Sequence, residues 1–381
     1  MRLIYWLNFL VSFGYNLVSK ILPAYLTKFT QSAFQISFVG AAYQLAKVLG
    51  APFLGIVSDK LGKKRALTFA LLILAILGSS LIFLDSIFSF VLIFFAIGLV
   101  SNLLHISLNA ICTILSEKKA EALSKLEISY QIGFIAGPML GGFIALLLGM
   151  PVNFVIWALI SLTGLVSVQF IKETEPIQKV TVKSTLKNVG QAIRNNFLGF
   201  LVFFIVGGFF IGFIEGTRDI LIPLYAHDLG YSLLQIGLIF TISSIITALG
   251  LLPFGKLSDK AGRGFALLSG IGLIIVSYLL LGFTTAFLGI ALLTGILSLG
   301  RTVGLTTTRA FASDITTKES RATGISLFEI TFSLGRVVGP VTGGLLKDFF
   351  AIKTTFAIII SISVVAALIM IAYLVKIKRR K

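Results

Sequence analysis

Ionisable side chains set deep inside long apolar runs carry the first chemistry in this sequence. Lys47, His105, Arg301 and Arg336 each sit well inside a hydrophobic stretch. Glu215, Arg218 and Asp219 stand at i, i+3 and i+4, a spacing that puts them on one helical face and lets them pair. An ionisable group at the centre of a bilayer costs roughly 2.5–3.5 kcal/mol on insertion scales, so each is a candidate for function. Lys47, Arg301 and Arg336 meet no deep acid unless the Glu215–Asp219 group leans inward. Coulomb attraction is several-fold stronger in low dielectric than in water. Arginine also takes carboxylate or phosphate in a bidentate grip. These cations point to an anionic guest; the competing reading has the arginines bonding backbone carbonyls and water. Gly40, Gln44, Lys47 and Ala51 recur at helical spacing, which places Gln44 and Lys47 on one polar stripe. His105 shares its run with Ser101, Asn102 and Asn109. Its ordinary pKa of about 6.5 suits a proton carrier, although a hydrogen bond to Asn102 or Asn109 is the simpler expectation. Lys20 lies close enough to the end of its run to snorkel to the interface.

The elements that must position these groups are membrane helices. The chain is 57% hydrophobic and 12% charged, where a soluble domain has about 25% charged residues. Apolar runs of about 20 residues recur from end to end, long enough to cross a bilayer. They lack the period-2 alternation of a membrane β-barrel. The runs fall at 3–25, 33–56, 66–84, 87–113, 124–148 and 152–171, then at 197–224, 232–254, 265–284, 286–311, 322–346 and 354–375. The expected fold is an all-α membrane protein with twelve transmembrane helices in two pseudo-symmetric six-helix bundles. Residues 1–171 form one bundle, 172–196 a polar linker, and 197–381 the second bundle with a basic tail.

Two bundles are expected because the chain repeats itself. Ser58-Asp59-Lys60-Leu61-Gly62-Lys63 returns 200 residues later as Ser258-Asp259-Lys260-Ala261-Gly262-Arg263. Pro23 and Tyr25 match Pro223 and Tyr225. Gly133, Gly137-Pro138 and Gly141-Gly142 match Gly335, Gly339-Pro340 and Gly343-Gly344. Duplicated halves made of membrane spans imply a site at the repeat interface.

A net charge of +17 in a soluble chain would suggest nucleic acid; here it follows from basic loops. With Met1 inside, about 22 of the 32 Lys and Arg residues fall on the cytoplasmic side, while the outer loops receive Lys28, Lys347 and Lys353. Both termini are therefore expected in the cytoplasm of a multi-pass plasma-membrane protein. The N-terminal run is read as a retained span, not a signal peptide. One cysteine, Cys112, and two histidines build neither a disulfide nor a metal site. No cofactor is expected. Paired carboxylates, an activated nucleophile and a nucleotide-binding phosphate loop are all missing from the sequence, which argues against an enzyme or a nucleotide-driven pump.

The loop Gly55 to Arg65, with Asp59 four residues after the first glycine, Gly62 and then basic residues, resembles the signature loop of the major facilitator superfamily. Its second copy, Gly255 to Arg263, stands at the matching place. The glycines of span 5 are similar to a motif of the exporter branches. Gly133, Gly137 and Gly141 share a face that lets another helix approach. The resemblance implies a monomeric secondary transporter working by alternating access, with a small-molecule substrate and a proton or other coupling ion. Lys47, Gln44, His105, Asn109, Arg301 and Arg336 are the expected substrate contacts, and Glu215, Arg218 and Asp219 form either a structural or gating ion cluster or part of a substrate site. Asp59, Gly62, Lys63, Asp259, Gly262, Arg263, Arg309 and Glu329 are the expected latch. In the first half Glu127 matches Glu329 but Cys112 replaces Arg309, so that latch must be built differently. The exporter arginine of span 4 and an acid in span 1 are missing, which weighs against the usual proton-antiport arrangement. The expected cargo is an organic anion or anionic metabolite; the alternative is proton-coupled export of multiple drugs or hydrophobic compounds.

Overall fold

The computed structural model describes residues 1–171, 197–316 and 321–378; the predicted linker lies outside them. Twelve long helical stretches follow one another among the described residues. They are α1 (Arg2–Ser19, followed by the short Leu22–Leu26), α2 (Ala33–Leu61), α3 (Lys63–Ser80), α4 (Ile87–Ile114), α5 (Lys119–Leu148) and α6 (Met150–Gln169). Next come α7 (Phe197–Val202, Phe203–Phe210 and Ile211–Asp228), α8 (Leu233–Ala261), α9 (Arg263–Leu281), α10 (Phe287–Asp314), α11 (Arg321–Phe349) and α12 (Ile352–Lys378). Ten of these are long and apolar enough to cross a membrane, and α2 makes eleven when its two arms, bent by 63° between Ala51 and Phe53, count as one span. The remaining helix, α11, is 29 residues long, and it is the one that carries Glu329 and Arg336.

Local chemistry explains where the helices break. Gly62 is the single residue between α2 and α3, with φ 83°, and Gly262 does the same between α8 and α9 with φ 92°. A residue with a Cβ is strained there, so the repeated glycine is a turn requirement. Ser32 and Ser86 cap α2 and α4 by accepting the amides of Gln35 and Ser89.

The chain divides into two compact units, Met1–Gln178 with Pro223–Thr241, and Lys179–Ile222 with Ile242–Lys381. In the first unit the glycine face of α5 meets α1. A Cβ on Gly133 would stand 2.7 Å from the Phe13 nitrogen and 2.9 Å from the Phe9 oxygen, and one on Gly141 would overlap the Leu17 carbonyl. The seam is also hydrogen-bonded: Asn8 donates to the Leu126 carbonyl at 2.7 Å and Ser12 to that of Tyr130 at 2.7 Å. In the second unit α11 meets α7 in the same register, Gly335 against Phe209 and Phe213. Phe9 and Phe13 become Phe209 and Phe213, so the 200-residue repeat is a repeat of contacts as well as of letters.

Segment Pro223–Thr241 belongs to the first unit through α5. The Thr241 hydroxyl donates to the Ile135 carbonyl at 2.8 Å, and Gly237 lies against the Pro138 carbonyl. Lys20 is drawn into this packing. Its ammonium sits 5.2 Å and 5.4 Å from the Phe134 and Phe240 ring centres, and the residue is buried. The snorkelling expected of Lys20 is thus corrected: two aromatic faces take its charge in place of the interface.

Candidate functional site

The deep charges of the second unit assemble across three helices. Gly212 of α7 packs on the Phe332 carbonyl, and a Cβ on Gly216 would lie 2.5 Å from Pro340 Cδ. That close approach places Glu215 of α7 beside Arg336 of α11. From the other side α10 presents Ser298 and Arg301, three residues apart, to Glu215 and Arg218, also three residues apart. Arg301 Nη1 donates to Glu215 Oε2 at 2.8 Å, and Arg336 Nη2 stands 3.6 Å from Glu215 Oε1. Arg218 Nη1 donates to Ser298 Oγ at 2.8 Å. Its Nε and Nη2 donate to Asp219 Oδ1 at 3.0 and 2.6 Å.

Two sequence expectations gain detail here. The sequence leaves Arg301 and Arg336 without a deep acid unless the Glu215 group leans inward; in the structure both share Glu215. Spacing alone gathers Glu215, Arg218 and Asp219 into one cluster on a helical face; the structure adds which partner each reaches, Glu215 the guanidinium groups of Arg301 and Arg336, and Arg218 the Asp219 carboxylate. The physical reason is reach. Glu215 points to the neighbouring helices, and Arg218 folds back on the adjacent Asp219 while its other arm spans to α10. The Glu215 group is largely dry, its carboxylate side chain 9% exposed and that of Arg301 13%. Removing one member of such a buried pair leaves an uncompensated charge. Arg301 Nε is itself buried with no acceptor among the described residues.

The first unit holds a different polar set. Lys47 is half-buried on α2, its ammonium 5.6 Å from the Tyr43 ring centre, and Gln44 is buried one turn away. Asn102 of α4 donates to the Lys47 carbonyl at 2.8 Å. The Asn102 amide nitrogen thus serves a bond between helices. Asn109 is exposed. His105 lies against Tyr130 at 5.6 Å between ring centres.

At the Gly62 and Gly262 ends, each described ion pair closes within one unit. Buried Lys63 bonds Asp59 and also Ser58 at 3.2 Å, and Ser58 meets Ser107 of α4 at 2.9 Å. Arg263 donates to Asp314 at 3.0 Å, and Arg309 to Glu329 at 2.7 Å. The side chain of Asp259 lies outside the described residues. Where Cys112 replaces Arg309, Glu127 accepts from Gln131 at 2.8 Å instead. The Asp59 side chain is 64% exposed and that of Lys63 7%; asparagine keeps an acceptor for the ammonium, and Ser58 holds it as well. Asp59→Asn is thus expected to leave the melting temperature nearly unchanged while lowering flux in proteoliposomes several-fold with binding retained. Unchanged flux removes the latch role.

Sequence reasoning missed one further device. Residues Phe203–Phe210 of α7 form a π-helix, a wider winding frequent at functional sites. Gly207 and Gly208 pack there against Thr308 and Thr331. The pair of glycines was the only signal in the sequence.

This geometry can be set beside known proteins. The chain is 26% identical to the multi-drug resistance efflux pump PmrA of Streptococcus pneumoniae, over 99% of this chain and 97% of that one. It is 26% identical to multidrug resistance protein 2 of Bacillus subtilis, over 90% and 87%. Among solved structures, the nucleoside transporter NupG superposes with a TM-score of 0.79 at 17% identity, covering 97% of this chain and 98% of that one. The Major Facilitator Superfamily profile matches twice, at residues 4–217 and 205–381. The duplicated helices, the paired glycine seams and the two profile matches lead to one conclusion: the chain is a multi-pass membrane transporter of the Major Facilitator Superfamily and not an enzyme.

Proposed function

We propose that the protein exports hydrophobic or amphiphilic small molecules, coupled to protons at Glu215. The observation that carries this reading is Glu215 between Arg301 and Arg336. It offsets the cationic surplus on which an anionic cargo would rest. The same unit offers an apolar groove of about 460 Å³ along α7 and α11, with Phe200, Phe204, Phe209, Ile330 and Leu334 in its wall. Pockets of this kind suit a lipophilic body with a few polar atoms. The two bacterial relatives, a multi-drug resistance efflux pump and a multidrug resistance protein by name, support the same reading. A carboxylate that exchanges between two guanidinium groups and a proton can act as a coupling device, because pairing and protonation exclude each other. Both termini in the cytoplasm, a plasma-membrane location and a monomeric protein belong to the same proposal, on the distribution of basic residues and the duplicated fold.

A second reading has an organic anion or anionic metabolite displacing Glu215 from the arginines, with Lys47 as a further contact. The two separate in proteoliposomes carrying an imposed pH gradient, with ethidium and benzoate as probes. Export predicts ethidium flux that follows the gradient and falls at least about tenfold, equivalent to about 1.4 kcal/mol, in Glu215→Gln. Benzoate binding that is lost in Arg301→Ala and Arg336→Ala, with no ethidium flux, promotes the second reading and ends the first.

A further inference from the structure

Helix α6 carries Trp157 into the interior of the first unit, where the residue is 1% exposed. Its Nε1–H is buried and has no protein acceptor among the described residues. Buried indole donors usually have a partner, and an unmet one carries a desolvation penalty. The ring is held by its neighbours. A Cβ on Gly14 of α1 would stand 2.6 Å from Trp157 Cδ1 and 3.1 Å from Nε1. Tyr15 meets the indole edge-on at 6.1 Å and stacks on Tyr43 at 4.9 Å.

Trp157 forms part of the wall of a narrow cavity inside this unit, together with Ser12, Tyr15, Tyr43, Ser101, His105 and Tyr130. The space admits about one water molecule. An apolar cavity of this size stays dry, but a buried water is retained where about two to four polar groups converge. Here hydroxyls from α1 and α4, an imidazole and an indole converge. The unmet donor and the polar walls are separate observations, and both call for the same small ligand, one that accepts from nitrogen and donates in turn.

We propose that this cavity is a resident-water site. One water accepts from Trp157 Nε1–H and donates towards His105 of α4. The water joins α6 to α4 and fixes the ring orientation of His105, so Trp157 is a positioning residue for the histidine. Nothing in this inference depends on which cargo the transporter carries.

The chain has two tryptophans, and the other, Trp6, is 48% exposed. Trp6→Phe therefore leaves Trp157 as the sole emitter. The site predicts emission at longer wavelength than a dry indole gives, with a clear response to exchange of H2O for D2O. Ser101→Leu, which fills the cavity, shifts the emission to shorter wavelength and removes the D2O response. Short-wavelength emission that ignores both D2O and Ser101→Leu overturns the proposal. Where Ser101→Leu does not fold, the indole N–H marker band in ultraviolet resonance Raman spectra of the Trp6→Phe protein decides alone. A hydrogen-bonded frequency supports the water site, and a free N–H frequency ends it.

Discussion

Glu215→Gln is expected to destabilise the protein by about 3–5 kcal/mol, the usual cost of breaking a buried ion pair from one side, and to abolish gradient-driven flux. Glutamine keeps the shape of glutamate but not its charge. Arg301 at 2.8 Å and Arg336 at 3.6 Å then face each other's charge with no carboxylate between them. The large effect comes from this leftover charge and not from the worth of one hydrogen bond. Two controls separate the causes. Glu215→Gln combined with Arg336→Gln removes one surplus charge and is expected to recover part of the stability, giving a non-additive double-mutant cycle. Asp219→Asn leaves the Glu215 group intact, so it is expected to spare the Arg301 and Arg336 contacts. Denaturation followed by circular dichroism reads all three variants. A Glu215→Gln protein within about 0.5 kcal/mol of the wild type, the range of ordinary surface substitutions, would show that the three side chains do not act together.

Gly141→Ala is expected to lower stability by about 1–3 kcal/mol or more, as overpacking of a tight interior does. A methyl at Gly141 overlaps the Leu17 carbonyl, which is backbone and cannot turn aside. The whole of α1 must move, and with it the Asn8 and Ser12 bonds to α5. Gly335→Ala meets the Phe209 carbonyl in the second unit and is expected to act in the same way. Gly40→Ala is the control. Nothing lies within 4 Å of a methyl there, so its effect is expected to be neutral or slightly stabilising, as helix propensity favours alanine. Equal melting temperatures for Gly141→Ala and Gly40→Ala would mean that α1 and α5 are not in tight contact.

The repeat made much of this legible beforehand. Gly62 and Gly262 announced their turns because positive φ demands glycine. The i, i+4 glycines of α5 announced a close helix without naming it, and the structure supplies α1. What stayed hidden was which helix a side chain reaches. Spacing along α7 placed Glu215 and Arg218 on one face, yet Glu215 pairs with α10 and α11, and no periodicity within one helix encodes that choice. The same holds for Asn102, whose partner is a carbonyl on α2. The cavity beside Trp157 was hidden for another reason. Its walls come from all of α1 to α6 at once, so no single stretch of sequence carries its outline.

Cys112, wholly buried where the second half has Arg309, is the single thiol of the chain. A thiol in such surroundings is inert until the protein opens. The native molecule therefore offers a silent background for site-directed labelling. A pair of cysteines introduced on the exposed faces of α2 and α11 would take spin labels without competition, and the distance between the labels could be followed through a transport cycle in the otherwise unaltered chain.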